Sequence, residues 1–166
     1  YLTRIKGLEQ LIKVLEKRKD LAVVIIGEGE AKNELIELSR TLNVIDRTLF
    51  LDYLPTPYNY LSLFDVYAMC SRSEGFGLAA VEATLMQTPV VCSNISIFKE
   101  IFDDTKVSFF ELDNISSLLE SINIAISTIG KLKAKVALNY SLNNFSGYKM
   151  ASNYLDIYSN LLNGKI

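Results

Sequence analysis

Apolar residues fall into two rhythms that alternate along the chain. Short unbroken runs at 21–26, 48–51, 66–70, 89–93 and 107–110 have the length and content of strands buried on both faces. Between them, apolar positions recur every three or four residues. Leu8, Leu11, Ile12 and Leu15 form one such set, Ala31, Leu35, Leu38 and Leu42 a second, and Leu78, Val81, Leu85 and Met86 a third; each is one face of a helix. Short helices are expected at 58–64 and 97–102, and Tyr1-Leu2-Thr3 reads as the end of a strand that begins upstream. From Ile115 onward the pattern is helical throughout. Ile115, Leu118, Leu119, Ile122, Ala125 and Ile129 make one stripe, interrupted at Gly130. A short helix is expected at about 131–140, and a last one at about 146–162 with Ala151, Leu155, Tyr158 and Leu162 aligned and Ser146 as N-cap. Strands alternating with helices predict an α/β fold with a parallel, doubly wound sheet, right-handed crossovers and a helical tail. The length of 166 residues suits one domain, 1–166; no repeat or low-complexity tract divides it.

Composition narrows the function classes. With 49% hydrophobic residues the chain can build a full core, and its net charge of −2 gives no nucleic-acid footprint. No apolar run approaches a membrane span, and no signal peptide is read at the start. There is no His, so His-ligated metal sites and Ser-His-Asp catalysis within the chain are excluded. Cys70 and Cys92 both sit in apolar strand-like runs, where thiols pack as small hydrophobes; this fits a reducing cytoplasm.

The chemistry concentrates between 71 and 83, Ser-Arg-Ser-Glu-Gly-Phe-Gly-Leu-Ala-Ala-Val-Glu-Ala. A strand precedes it and a helix follows, so it is a strand, a glycine turn and a helix start. The first N–H groups of a helix lack partners, and the macrodipole makes the spot attractive to anions. Gly75 and Gly77 let a ligand approach the main chain. Glu74 and Glu82, with seven residues between them, can both point toward the carboxyl edge of the sheet, where open α/β folds bind ligands. A carboxylate there accepts hydrogen bonds from sugar or ribose hydroxyls. It can equally do no more than balance the helix dipole.

The longer pattern resembles a known family. Glu74-Gly75-Phe76-Gly77-Leu78, then Glu82-Ala83, then Thr88-Pro89-Val90-Val91 is similar to the signature of the large group of retaining glycosyltransferases with the GT-B fold, which build bacterial cell-surface polysaccharides. Lys6-Gly7, Gly27-Glu28-Gly29, Phe145-Ser146 and the tyrosine-rich last helix also have places in that pattern. The resemblance implies a Rossmann-like domain, one of two in a GT-B enzyme, with the N-terminal acceptor domain absent from this chain. It implies a nucleotide-diphosphate sugar (UDP-, GDP- or ADP-linked) as donor. Lys6 and the N–H groups around Gly77 and Leu78 would hold the diphosphate, and Glu82 the ribose. Glu74, with Gly75 and the backbone at Phe76, would position the transferred sugar, Glu74 being the catalytic residue. No cofactor and no bound metal are implied, and Asp103-Asp104 reads as a solvated loop. The full-length enzyme is expected in the cytoplasm, with peripheral association at the inner face of the membrane.

Several positions depart from that pattern. Tyr1 stands where the family has an arginine, five residues before Lys6, and a phenol cannot form a bidentate phosphate pair; Arg4 lies near enough in sequence to be considered in its place. Gln87 and Asp52 stand where glycine is common, at turns that either adopt or avoid a left-handed backbone. The loop Asp52-Tyr53-Leu54 is expected at the nucleobase. Tyr58 and Tyr60 serve either as a sugar-stacking platform or as a half-buried helix face. Two further functions fit the same residues: a non-catalytic sugar-nucleotide-binding subunit, and a sugar-nucleotide epimerase of the same fold.

Overall fold

In the computed structural model, which describes residues 1–164, five parallel strands carry seven α-helices. The last two residues of the expected domain, 165–166, lie outside the described residues. The strands are β1 (Val23–Ile26), β2 (Thr48–Leu51), β3 (Tyr67–Met69), β4 (Val90–Ser93) and β5 (Ser108–Phe110). The helices are α1 (Glu9–Lys17), α2 (Lys32–Thr41), α3 (Leu78–Leu85), α4 (Ser96–Ile101), α5 (Ile115–Ile126), α6 (Thr128–Asn144) and α7 (Gly147–Leu162). The expected helix near 58–64 is a 3₁₀ segment, Pro57–Leu63, and a further 3₁₀ turn, Arg4–Lys6, precedes α1.

Every pairing is parallel, as the two-sided apolar runs require. The sheet is nevertheless divided into two ladders, β1–β2 and β3–β4–β5. Tyr1–Thr3, expected as a strand end, join neither of them. Instead Leu2 N–H donates to the Glu28 carbonyl at 2.7 Å, and the Leu2 carbonyl accepts from Ala31 N–H at 3.1 Å. Arg72 N–H donates to the Ile5 carbonyl at 2.8 Å. The opening residues thus tie the carboxyl ends of the two ladders together.

Both faces of the β3–β4–β5 ladder are covered, because successive side chains alternate across a strand. Met69, Val90 and Cys92 meet Val81, Phe98 and Phe102 on one face. Cys70, Val91 and Phe110 meet Leu11, Val14, Leu118 and Ile122 on the other. A third cluster, Ile12, Leu15, Ile25, Leu35 and Val44, packs α1 and α2 against β1. Cys70 and Cys92 are buried and unbridged, and burial pushes both thiols up in pKa.

The helical tail differs from expectation in one respect. The break between the first two tail helices falls at Ser127, whose hydroxyl accepts from Ile129 N–H, not at Gly130. Gly130 lies inside α6, and Ile129 is exposed. A Cβ at Gly130 would stand 1.9 Å from the Ala125 carbonyl oxygen, so glycine is needed there for contact with the end of α5. Gly130→Ala is therefore expected to cost about 1–3 kcal/mol through overpacking, measurable as a lower denaturant midpoint at unchanged slope. The helix α6 runs well beyond the expected segment because its buried stripe is Gly130, Ala134, Ala137 and Ser141, residues too small to give a strong periodic signal. Ser146 caps α7 as expected, accepting from Lys149 N–H at 3.1 Å. No residue of α7 is buried, and the aligned Leu155, Tyr158 and Leu162 are all exposed.

Candidate functional site

The site begins with Gly7. Its left-handed backbone (φ 61°) ends the Arg4–Lys6 turn, and a Cβ there would lie 2.2 Å from the Cys70 carbonyl. Only glycine brings this turn against the end of β3. The buried Gln10 fixes the approach: its Nε2 donates to the carbonyls of Gly7 and Cys70, each at 3.2 Å, and its Oε1 accepts from Asp113 N–H at 2.9 Å. Lys6 is thereby held beside the loop after β3. Gly7→Ala should cost about 1–2 kcal/mol for the left-handed backbone and about 1–3 kcal/mol for the overlap, again read by chemical denaturation.

Lys6 Nζ donates to Glu74 Oε1 at 2.6 Å, with the Lys6 side chain 34% and the Glu74 side chain 11% exposed. The Ser71 hydroxyl donates to the same oxygen at 2.7 Å. The two residues that the resemblance assigns to diphosphate and sugar are thus bonded to each other. Arg4 does not join them. Its guanidinium turns away onto Glu34 of α2, Nε to Oε2 at 3.1 Å and an outer nitrogen to Oε1 at 2.5 Å. Tyr1 is almost fully exposed at the rim.

Next to the ion pair lies a cavity of about 440 Å³, lined by Lys6, Ser71, Glu82, Tyr67, Gly27 and Tyr53 among others. It opens at the carboxyl ends of β1 and β3, the edge where parallel α/β sheets bind ligands. Glu82 projects from α3 and is half-buried, and its carboxylate makes no hydrogen bond or ion pair with any described residue. Both of its oxygens remain available to a ligand. The helix behind it is anchored by Thr84, whose hydroxyl donates to the Val81 carbonyl and shares a 2.7 Å hydrogen bond with Ser141 of α6.

The N-terminus of α3 completes the loop. Gly77 is its N-cap, left-handed at φ 86°, with no side chain to satisfy the first N–H groups. A Cβ there would come within 2.5 Å of the ring of Phe98, which is fully buried. Leu78 is exposed, and Gly75 has open space around it. Phe76 stands edge-on to Phe145, centroids 5.7 Å apart at 84°, and Phe145 stands edge-on to Tyr140 at 5.6 Å. Glu74, Gly75, Phe76, Gly77 and Leu78 do not line the cavity itself; Glu74 meets it through its bonds to Lys6 and Ser71, which do.

Three contributors were not legible as functional residues in the sequence. Tyr67 reads there only as part of a buried strand, yet its side chain reaches the cavity. Burial is the main cause that pushes its phenol up in pKa, with Glu82 and Glu74 among the charges that add to it, so it stays protonated and able to donate. Ser71 reads as a loop residue, and its bond to Glu74 has no spacing signal. Phe145 lies 69 positions from Phe76, and only the return of α6 brings them together. Of the two tyrosines considered for stacking, Tyr58 lines the cavity and Tyr60 does not. Asp103 caps its own loop, accepting from Thr105 N–H at 2.9 Å and pairing with Lys106. Gln87 adopts the left-handed backbone (φ 56°) that glycine would provide. No cluster of metal-binding side chains occurs among the described residues, and none of the described helices is long and apolar enough to cross a membrane.

Residues 1–138 match the glycosyl transferases group 1 family. The chain belongs to that family. It is 36% identical over 160 residues to the O-antigen biosynthesis glycosyltransferase WclY of Escherichia coli, covering 96% of this chain and 45% of WclY. It is 33% identical over 115 residues to an N-acetylgalactosaminyltransferase of Campylobacter jejuni that acts on a diphospho-undecaprenol-linked sugar, covering 68% of this chain and 32% of that enzyme. Among solved structures, HepE of Anabaena in complex with UDP and glucose superimposes with a TM-score of 0.88 at 21% identity, over 96% of this chain and 46% of HepE. The fold is accordingly Rossmann-like, as in the GT-B structures it superimposes on. The chain spans less than half the length of each of these relatives.

Proposed function

We propose that this chain is the donor-binding half of a retaining glycosyltransferase. The enzyme would move a sugar from a nucleotide-diphosphate sugar to an acceptor in the synthesis of a cell-surface polysaccharide or glycolipid. The observation that carries this reading is the convergence of Lys6 and Glu82 on one cavity at the carboxyl edge of the sheet, with Lys6 bonded to Glu74 beside the start of α3. Family membership supports it, as do the sugar-transferring relatives and the UDP and glucose bound by HepE.

Each group then has a physical task. Glu82, with both oxygens free, accepts from the ribose hydroxyls. Lys6 leaves Glu74 to meet the diphosphate as a point charge, and the first N–H groups of α3 add the positive end of the helix dipole. These charges stabilise the departing diphosphate while the acceptor attacks on the same face. Glu74 holds the transferred sugar and offsets the positive charge that develops on it; it is not assigned as a free nucleophile. Lys6 is the cation that lines the cavity, so donor affinity rests heavily on one side chain. A second enzyme domain would bring the acceptor, and association with the membrane would come through that acceptor or that domain.

A thermal-shift panel of UDP-, GDP- and ADP-linked sugars tests the donor assignment. One nucleotide series is expected to raise the melting temperature in a concentration-dependent way, with UDP sugars the first choice given HepE. No shift with any member would overturn the donor-binding reading. The 166-residue chain alone is expected to give at most slow donor hydrolysis with a broad acceptor pool, because transfer needs the acceptor held against the donor. Robust transfer by the isolated chain, followed by chromatography of labelled sugar, would contradict the half-enzyme reading.

A further inference from the structure

We propose that Ser71 is a positioning residue, whose hydroxyl keeps the Glu74 carboxylate aimed after Lys6 has moved to the donor. The proposal rests on the assignment of Glu74 to the transferred sugar made above.

Two donors meet on one oxygen. Lys6 Nζ and Ser71 Oγ both donate to Glu74 Oε1, at 2.6 and 2.7 Å. The other oxygen, Oε2, has no partner among the described residues. A carboxylate bound through one oxygen only is fixed in direction, with its second oxygen presented outward as the free acceptor.

The two donors differ in permanence. Lys6 is one-third exposed at the end of a flexible four-carbon stem, and a diphosphate competes for it with more negative charge than a single carboxylate. Ser71 has no such freedom. Its hydroxyl oxygen is placed by a single rotatable bond, and the residue is buried. Its carbonyl accepts from the Ser93 hydroxyl at 2.6 Å, and Ser93 is itself fully buried at the end of β4. The run Ser93–Ser71–Glu74 therefore ties the carboxylate to the carboxyl ends of two adjacent strands. Once Lys6 turns to the phosphates, Ser71 is the one described side-chain donor still on Glu74. Without it, the carboxylate would be free to rotate at the moment charge develops on the sugar, when a preorganised acceptor matters most.

The rival explanation is that the Ser71–Glu74 bond only stabilises the turn that contains it. Turnover separates the two. The full-length protein is assayed with the nucleotide sugar selected by the thermal-shift panel, reading release of nucleoside diphosphate, in wild type, Ser71→Ala, Glu74→Gln and the double variant. Ser71→Ala is expected to lower kcat about tenfold or more, with KM within about threefold of wild type, the pattern of an interaction that matters in the transition state. In the Glu74→Gln background the same change is expected to lower kcat by less than about threefold, because the group it positions is already altered. If Ser71→Ala melts below the assay temperature, Ser71→Cys, a near-isostere with a weaker donor, carries the same test. Wild-type kcat in Ser71→Ala beside a slow Glu74→Gln would overturn the positioning role and leave the reading of Glu74 intact. Independent, multiplying losses in the double variant would also overturn it. Wild-type kcat in Glu74→Gln would instead overturn the assignment of Glu74, and the proposal with it.

Discussion

Glu74→Gln in the full-length enzyme is expected to cut turnover by about a hundredfold or more, the usual consequence of removing preorganised electrostatic stabilisation from a transition state. The substitution keeps the size of the side chain and one acceptor oxygen but removes the charge. Binding of the bare nucleoside diphosphate should be nearly unchanged, since that ligand has no sugar to reach Glu74. If Glu74 only balanced the dipole of α3, the change would instead cost about 0.3–1 kcal/mol of stability and leave turnover alone. The Lys6 ion pair gives a further distinction. The unliganded site holds Lys6 on Glu74, so neutralising Glu74 leaves Lys6 free for the phosphates and should not weaken nucleoside diphosphate binding. Steady-state kinetics and calorimetry on the same variant check both sides of this expectation. Equal losses for nucleoside diphosphate and sugar nucleotide would contradict the assignment to the sugar.

Glu82→Ala should act on the opposite part of the donor. Its carboxylate has no partner among the described residues and faces the cavity, so its removal leaves no buried group of the protein stranded. Loss of hydrogen bonds from ribose to a charged acceptor should weaken nucleotide binding by about 1.5–3 kcal/mol. Nucleoside diphosphate and sugar nucleotide should be affected alike. The melting temperature should hardly move, because alanine suits a helix interior. Unchanged calorimetric affinity would reduce Glu82 to an ordinary helix residue.

The sequence showed most clearly those elements whose cores are made of large side chains. The apolar run at 48–51 coincides with β2; the runs at β1, β4 and β5 begin one or two residues before the strand, and the run at β3 overshoots it by one residue at each end. The paired Glu74 and Glu82 on a strand, turn and helix were legible because two glycines and a helical stripe mark that junction. The full length of α6 was not, because Gly130, Ala134, Ala137 and Ser141 contribute little hydrophobic periodicity while still packing against α3 and α5. The division of the sheet was also hidden, since apolar runs announce strands but not which of them pair. Within the site, hydrogen bonds that cross the chain left no trace in spacing: Lys6 to Glu74, Gln10 to the Cys70 carbonyl, Ser93 to the Ser71 carbonyl. The diversion of Arg4 onto Glu34 was equally invisible, because Arg4 lies close in sequence to the position it might have served and only α2 reveals its actual partner.

The most direct measurement is a calorimetric titration of UDP, GDP and ADP into wild type, Lys6→Met and Glu82→Ala. One of the three nucleotides is expected to bind wild type saturably at one site, and each substitution should weaken it by about tenfold or more, as loss of a charged hydrogen-bonding partner does. Binding of that nucleotide at wild-type strength in both variants would place it elsewhere and contradict the assignment of this cavity to the donor.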